Sequence, residues 1–448
     1  MTSTHTTGAT RPVSSVRRVI IASLVGTSLE WYDFFLYGSA AALVFNKLFF
    51  PSFDPVTGTL LAFATYAVGF AARPLGGVVF GHFGDKLGRK NVLVVTLLLM
   101  GIATFLIGLL PTYAQVGVAA PILLVTLRFV QGLGLGGEWG GAVLMSLEHG
   151  KPGHRGLAAS WPQVGVPMGN ILATAVLALL SVLLPESAFL SWGWRIPFLL
   201  SGVLVIVGLW IRFTISESPL FVRVAETATR ARMPIVDVVR LYPRELLVAI
   251  GARIGTDVAF YTFVLFILSY VTTTLDLPRT LGLTAVMVGS ALQLVLIPLF
   301  GALSDRVGRR PVYLAGAVGA AVWVFAFFAL LDTKSTPLII LAAVGGLLFH
   351  AMMYGPQAAF VTELFSTRLR YSGASLGYQV AGVLGGGLAP LISLALLERY
   401  DTPMAICVYV AAALGLTVVA LLFAPETRDA DLTAEREEER LILETTTP

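Results

Sequence analysis

"GHFGDKLGRK" at residues 81–90 returns 220 residues later as "GALSDRVGRR" at 301–310, with Gly81/Gly301, Asp85/Asp305, Gly88/Gly308 and Arg89/Arg309 in register. Each copy is wedged between long apolar runs. A glycine, an acid and a basic cluster repeated at half the chain length mark a membrane protein built from two related halves, an architecture common among secondary transporters.

Composition agrees with that reading. Of 448 residues, 56% are hydrophobic and only 12% charged, against roughly 25% charged in a soluble protein. Most of the chain therefore belongs in lipid. The net charge of +4 gives no nucleic-acid signal, because the basic residues lie in short loops between apolar runs and form no patch. One cysteine, Cys407, permits no intramolecular disulfide. The N-terminus "MTSTHTTGATRPVSSVRR" is polar and basic, and the run after it has full-span length without a small-residue cleavage site, so it reads as a retained cytoplasmic tail.

Apolar segments of spanning length fall at 19–45, 56–80, 92–111, 118–147, 156–184, 194–214, 245–271, 280–303, 311–331, 338–364, 371–397 and 402–424. An even number of spans places both termini on one side. Lys86, Arg89, Lys90, Arg306, Arg309 and Arg310 are typical of the basic even-numbered loops, whereas the odd loops hold only Lys47, Arg195, Arg279, Lys334 and Arg399. The positive-inside rule makes that side cytoplasmic. The long loop at 215–244, rich in arginine, separates six spans from six. A second repeat supports the division: Glu148 and Arg155 after span 4 match Glu363 and Arg370 after span 10. The chain therefore divides into an N-terminal tail (1–18), a first six-helix bundle (19–214), a linker (215–244), a second bundle (245–424) and a C-terminal tail (425–448). That last tail is too short for a convincing coiled coil.

These features resemble the major facilitator superfamily, whose loop pattern of Gly, three residues, Asp, a basic residue, Gly and a basic pair appears twice here. "RFVQGLGLGGE" at 128–138 and "APET" at 424–427 resemble two further motifs of that superfamily. More narrowly, "EWYDFFLYGSAAALVFNKLFFP" at 30–51, "RPLGG" at 73–77, "GGEWGG" at 136–141 and "ISESPLF" at 215–221 are similar to the metabolite:proton symporters. That family includes shikimate, 2-oxoglutarate, citrate and proline/betaine carriers. The resemblance implies an all-α fold of twelve transmembrane helices in two pseudo-symmetric bundles, with spans 1, 4, 7 and 10 lining a central cavity.

Charges inside spans cost about 2.5–3.5 kcal/mol each on insertion scales, so each needs a partner or a role. Glu30 and Asp33 share one face of span 1 with Tyr37 a turn beyond; span 4 carries Arg128, Gln131 and Glu138; span 7 carries Arg253, Asp257 and Tyr261; span 10 carries His350, Tyr354 and Gln357. A carboxyl group in a dry cavity holds its proton more tightly than in water and can load and release it. Asp33 and Glu30 are the first candidates for proton coupling, with Glu138 behind them and Arg128 as modulator or carboxylate clamp. Tyr37, Arg128, Gln131, Arg253, Asp257, Tyr261, His350, Tyr354 and Gln357 are the candidate substrate contacts.

Structural alternatives stand beside these roles. Arg253 and Asp257 are spaced for an i,i+4 ion pair that neutralises both for insertion, Glu30 and Asp33 for polar anchoring of span 1, and His350 for either titration or packing. For the tyrosines, packing is the commoner role of an aromatic residue in a span. The duplicated loops read as gates, in which Gly81, Asp85, Gly88 and Arg89, and Gly301, Asp305, Gly308 and Arg309, latch helix ends in one state and release them in another. Arg73, two turns earlier, is expected to join that network.

"GLGLGG" at 132–137 satisfies a dinucleotide-binding spacing, but it lies inside a span with no preceding strand, so its glycines are read as helix-packing residues. With five histidines and one cysteine in no ligand spacing, neither an enzyme nor a metal or cofactor site is expected. The resulting expectation is a monomeric plasma-membrane carrier, with no nucleic-acid partner, that brings in protons with a small carboxylated solute. Proline or betaine uptake and proton-driven export are the alternatives.

Overall fold

The computed structural model describes residues 16–87, 89–136, 143, 147, 153–214, 234–366 and 369–430, and the side chains of these except 16–23, 81–93, 211–214, 234 and 235. Every regular element among them is helical.

Twelve long helical segments follow in order. The first, α1, runs from Val16 through a π turn at Ala41–Phe45 to Phe49, followed by α2 (Pro55–Leu87), α3 (Arg89–Leu109), α4 (Ala119–Leu135), α5 (Arg155–Leu183) and α6 (Arg195–Thr214). The second half comprises α7 (Pro243–Thr274), α8 (Arg279–Val307), α9 (Arg309–Asp332), α10 (Thr336–Glu363), α11 (Arg370–Tyr400) and α12 (Met404–Phe423). Eight helices among the described residues are long and apolar enough to cross a membrane by themselves, or nine if the bent pair at Glu186–Gly193 and Arg195–Trp210 is one span. The shorter apolar helices Val94–Leu109 and Ala119–Leu135 supply two more, and α1 carries charge in its apolar run.

The distribution of side chains is that of a body in lipid. Val182 is 73% exposed and Trp210 69%, while Arg128 and Gln131 are completely buried. Apolar surface faces outward and the polar groups face the helix bundle, because hydrocarbon offers buried charge no partners. The central α7 is deeply enclosed, with 94% of its most apolar stretch buried, as is α1, buried throughout 28–46.

Local sequence explains the details. Asp54 precedes α2 and accepts the Val56 and Thr57 N–H groups at 3.1 and 3.0 Å, so hydrogen bonds from Thr57 and then Val56 hold this exposed carboxyl below the usual carboxylate range. Glycines set the closest crossing in the first bundle: a Cβ at Gly132 would collide with the Gly69 carbonyl, and one at Gly136 with the Arg73 carbonyl. This bears out the packing reading of the span-4 glycines and brings α4 against α2. π turns interrupt α1, α7 and α11, at Ala41–Phe45, Thr262–Phe266, Tyr270–Thr274 and Gly382–Gly387, irregularities that concentrate at functional sites.

One reading of the sequence changes. The stretch read as an unbroken loop at 215–244 contains a short helix at Pro234–Leu241, where Asp237 stands in the first turn and Arg240 in the last, as the helix dipole favours. Beyond Gly136 only Val143 and Leu147 of the fourth span are described, both helical, and Glu138 and Gly88 lie outside the described residues.

The two halves meet along α5 and α8. Asn170 of α5 donates to Ser290 of α8 at 2.9 Å, and Gln379 of α11 donates to the Gly136 carbonyl at 3.0 Å. Both bonds are buried.

Candidate functional site

The centre of the molecule is an aromatic cluster holding two arginines. Phe34 of α1 lies 4.9 Å from Tyr66 and 5.0 Å from Phe70, both on α2, and 6.3 Å from Tyr261 of α7. Phe70 and Tyr261 stand 5.6 Å apart. Room for these rings comes from the α11 π turn, since a Cβ at Gly386 would come 2.5 Å from Tyr261 and 2.8 Å from Phe70.

Arg128 lies over the faces of Tyr37, Phe34 and Tyr66, with its Cζ at 4.2, 4.7 and 4.7 Å from the ring centres. Its Nη1 donates to Gln131 at 2.5 Å, and the Gln131 amide donates to Thr104 at 2.8 Å. The Thr104 hydroxyl donates to the Met100 carbonyl at 2.9 Å and lies beside Asp33, which accepts a hydrogen bond from Ser201 of α6 at 2.5 Å. Arg128, Gln131, Thr104 and Asp33 thus lie in one polar cluster. Glu30, 7% exposed, is buried one turn before Asp33. Asp33 of α1 and Gln131 of α4 thus meet at Thr104 of α3, a residue that sequence reading did not single out.

Arg73 requires a correction. Its proximity in sequence to the Gly81–Arg89 loop suggested a part in the gate, yet its guanidinium lies over Phe34 and Phe70, each at 4.3 Å, and over Trp31 at 5.6 Å. It belongs to the central cluster. Its placement depends on rings contributed by α1, which no local spacing reveals.

In the second half, Arg253 and Asp257 form the i,i+4 pair, Nε to Oδ2 at 2.8 Å with both side chains buried. The Arg253 guanidinium also lies on the Tyr378 ring. His350 is stacked between Phe260 and Tyr354, with ring centres at 4.3 and 4.9 Å. Its Nδ1 lies 2.8 Å from Gln293 Nε2, which makes Nδ1 the acceptor and places the neutral ring's proton on Nε2. Gln357 donates to Tyr313 at 2.5 Å, and Tyr313 donates to the Ala252 carbonyl. That places Gln357 in contacts within the second bundle, away from the Arg128 cluster.

The second loop copy is fully visible. Arg309 bonds Asp305 at 2.7 Å, Ser304 at 2.8 Å and both Glu363 oxygens at 3.2 Å. Asp305 accepts the Gly156 and Leu157 N–H groups at the start of α5, while Glu426 of the "APET" segment accepts those of Arg309 and Arg310 at the start of α9. Gly308 adopts φ +105° where a Cβ would meet Glu426, so glycine is required there. Gly301 packs its backbone on Gly156 and Ser160. In the first copy, Gly88 lies outside the described residues, as do the side chains of Asp85 and Arg89 beside Gly81. At the opposite end of the molecule, Glu186 pairs with Arg279 of α8 at 2.5 Å and with Lys47 at 3.2 Å.

Comparison with known proteins agrees with this architecture. The family described as "Sugar (and other) transporter" matches residues 18–240, and "Major Facilitator Superfamily" matches residues 249–447. The chain is 42% identical over 428 residues to the inner membrane metabolite transport protein YhjE of Escherichia coli, covering 94% of this chain and 97% of that one. It is 44% identical to the Escherichia coli shikimate transporter, with 89% and 92% covered, and 35% identical to the proline/betaine transporter of the same organism, with 90% and 82% covered. Among solved structures, the partially occluded inward-open xylose transporter XylE of Escherichia coli superposes with a TM-score of 0.73 at 18% identity, over 94% of this chain and all of that one. The chain belongs to the major facilitator superfamily of membrane transporters.

Proposed function

We propose that this transporter is a proton-coupled symporter that imports a small carboxylated metabolite, shikimate or another organic acid, by alternating access to the central cluster. The observation that carries the reading is the cluster in which Arg128 bonds Gln131, Gln131 bonds Thr104, and Thr104 lies beside Asp33. With Arg128 as the group that takes a carboxylate and Asp33 as the group that takes a proton, their shared polar cluster supports coupling, since occupation of either changes the other. Similarity to a shikimate transporter supports the same substrate type.

In this mechanism Asp33 carries the proton, with Glu30 and Glu138 as subsidiary acids. Arg128 takes the substrate carboxylate, and Tyr37, Gln131, Tyr261, Arg253, Asp257, His350, Tyr354 and Gln357 form the surrounding wall. Asp305 and Arg309, with Gly301 and Gly308 shaping their loop, hold one end shut while Arg279 and Glu186 hold the other. Gly81, Asp85, Gly88 and Arg89 are assigned the matching task in the first half. Both termini and the linker at 215–244 lie in the cytoplasm, flanking bundles at 19–214 and 245–424 of a monomer in the cell membrane.

The second reading, uptake of proline or betaine, draws on the similarity to proline/betaine transporters. A zwitterion has a carboxylate for Arg128, but its cationic end would face buried guanidinium groups.

The test uses the full chain in proteoliposomes, with shikimate, 2-oxoglutarate, proline and betaine added outside one at a time while internal pH is recorded. Acidification with an organic acid, lost in Asp33→Asn, is expected. Alkalinisation would indicate export, and no pH change with any solute would remove proton coupling.

A further inference from the structure

Arg73 and Arg128 share an unusual condition. Arg128 is wholly buried and Arg73 is 3% exposed, yet in each the Nε and Nη2 groups have no hydrogen-bond partner. Nε and Nη2 are the two parallel donors that grip a carboxylate bidentately. Buried donors are normally satisfied, and an unpaired one marks a place where a ligand completes the structure. Among the described residues no acid pairs with either guanidinium; their charges rest on aromatic faces, which attract a cation without neutralising it. By contrast, Arg253 has Asp257 and Arg309 has Asp305 and Glu363.

The two open forks are close together. Their Cζ atoms lie 4.3 and 4.7 Å from the centre of the same Phe34 ring and are therefore at most 9.0 Å apart. The Tyr66 hydroxyl, in the same cluster and also without a partner, adds a donor between α1 and α4. Gly69 leaves the space that the Arg128 guanidinium occupies, since a Cβ there would collide with it.

We propose that Arg73 and Arg128 form a two-fork anion site, and that the solute it takes is a dicarboxylate with one carboxylate on each fork. The inference rests on the organic-acid reading above and narrows it. Two buried positive charges demand two negative ones, and a single carboxylate leaves an uncompensated cation in a medium where that is costly. Proton coupling follows from the same balance. A dianion neutralises both guanidiniums, leaving Asp33, which accepts from Ser201 and lies near Thr104 and Glu30, without a cation to balance, so it takes up the proton that travels with the solute. Phe34, lying against both arginines, must shift as the dianion enters.

The experiment measures thermal stabilisation of the purified full-length protein, and saturable uptake in proteoliposomes, with glutarate, butyrate and glycine betaine. Glutarate is expected to bind at least about tenfold more tightly than butyrate or betaine, since a charge-assisted bond contributes about 1.5–3 kcal/mol. Arg73→Gln is expected to weaken glutarate about 10- to 100-fold while changing butyrate less than about threefold. Arg73→Lys, which keeps the charge and loses the fork, serves if the glutamine variant fails to fold and is expected to weaken glutarate about tenfold. Equal affinity for glutarate and butyrate in the unsubstituted protein, equal loss of both on substitution, or no binding of either overturns the two-fork site. Glutarate binding without acidification of the lumen removes symport and keeps the site; acidification driven by a monocarboxylate that glutarate does not compete with keeps symport and removes the site.

Discussion

Asp305 of the second bundle caps Gly156 of the first: its carboxylate accepts the Gly156 N–H at 2.8 Å and the adjacent Leu157 N–H at 2.9 Å. The bond joins a loop acid to the exposed N–H groups at the start of α5, where the helix dipole favours negative charge. Arg309 fixes the acid's orientation from the other side. An N-terminal cap contributes about 1 kcal/mol, and up to about 2 kcal/mol in partly buried sites. Asp305→Ala is therefore expected to raise the population open at this end by about five- to thirtyfold. Labelling of a cysteine at Ser160, buried beside Gly301, in a Cys407→Ser background reads that population. Unchanged labelling would show that the latch is not Asp305.

The opposite end relies on Arg279, which reaches across from α8 to Ser181 at 2.9 Å, to Glu186 at 2.5 Å and over the Phe189 ring at 3.8 Å. Glu186 is half exposed, so each ion pair there contributes no more than about 1 kcal/mol and weakens with salt. Lys47, with one exposed contact, is expected to matter only at low ionic strength. Arg279→Ala is expected to raise backbone hydrogen exchange in residues 186–193 several-fold at any salt concentration, because its hydrogen bond to Ser181 and its stacking persist when charge is screened. If high salt in the unsubstituted protein produced the same rise, the stacking and Ser181 contacts would carry nothing.

Much of this was legible in the chain. The all-helical membrane fold and its two related halves follow from hydropathy and the duplicated loop, while the convergence of helices 1 and 4 is implied only by the family resemblance. Arg253 and Asp257 pair as their spacing of four requires. Thr104, Ser201 and Gln293 did not stand out, because a hydroxyl or amide in an apolar span carries no periodic signal and matters only through its partner on another helix. Arg73 was misplaced for a related reason: sequence distance put it near a loop, whereas crossing angles of α1 and α2 put it among rings.

The Arg253–Asp257 pair admits a sharper test, since insertion and binding make opposite demands on it. Removing one partner leaves a buried charge unpaired, at a cost of about 3–5 kcal/mol, while replacing both with neutral groups is often harmless to stability. Asp257→Asn and Arg253→Gln are each expected to lower folded yield sharply, and the double variant to restore it. As part of the proposed substrate wall, the pair also presents Arg253 Nη1, which has no partner, to the solute. Transport by the stable double variant is therefore expected to remain at least about tenfold below that of the unsubstituted protein, as loss of one charge-assisted contact implies. Full recovery of transport together with stability would make the pair a device for burying two charges and nothing more.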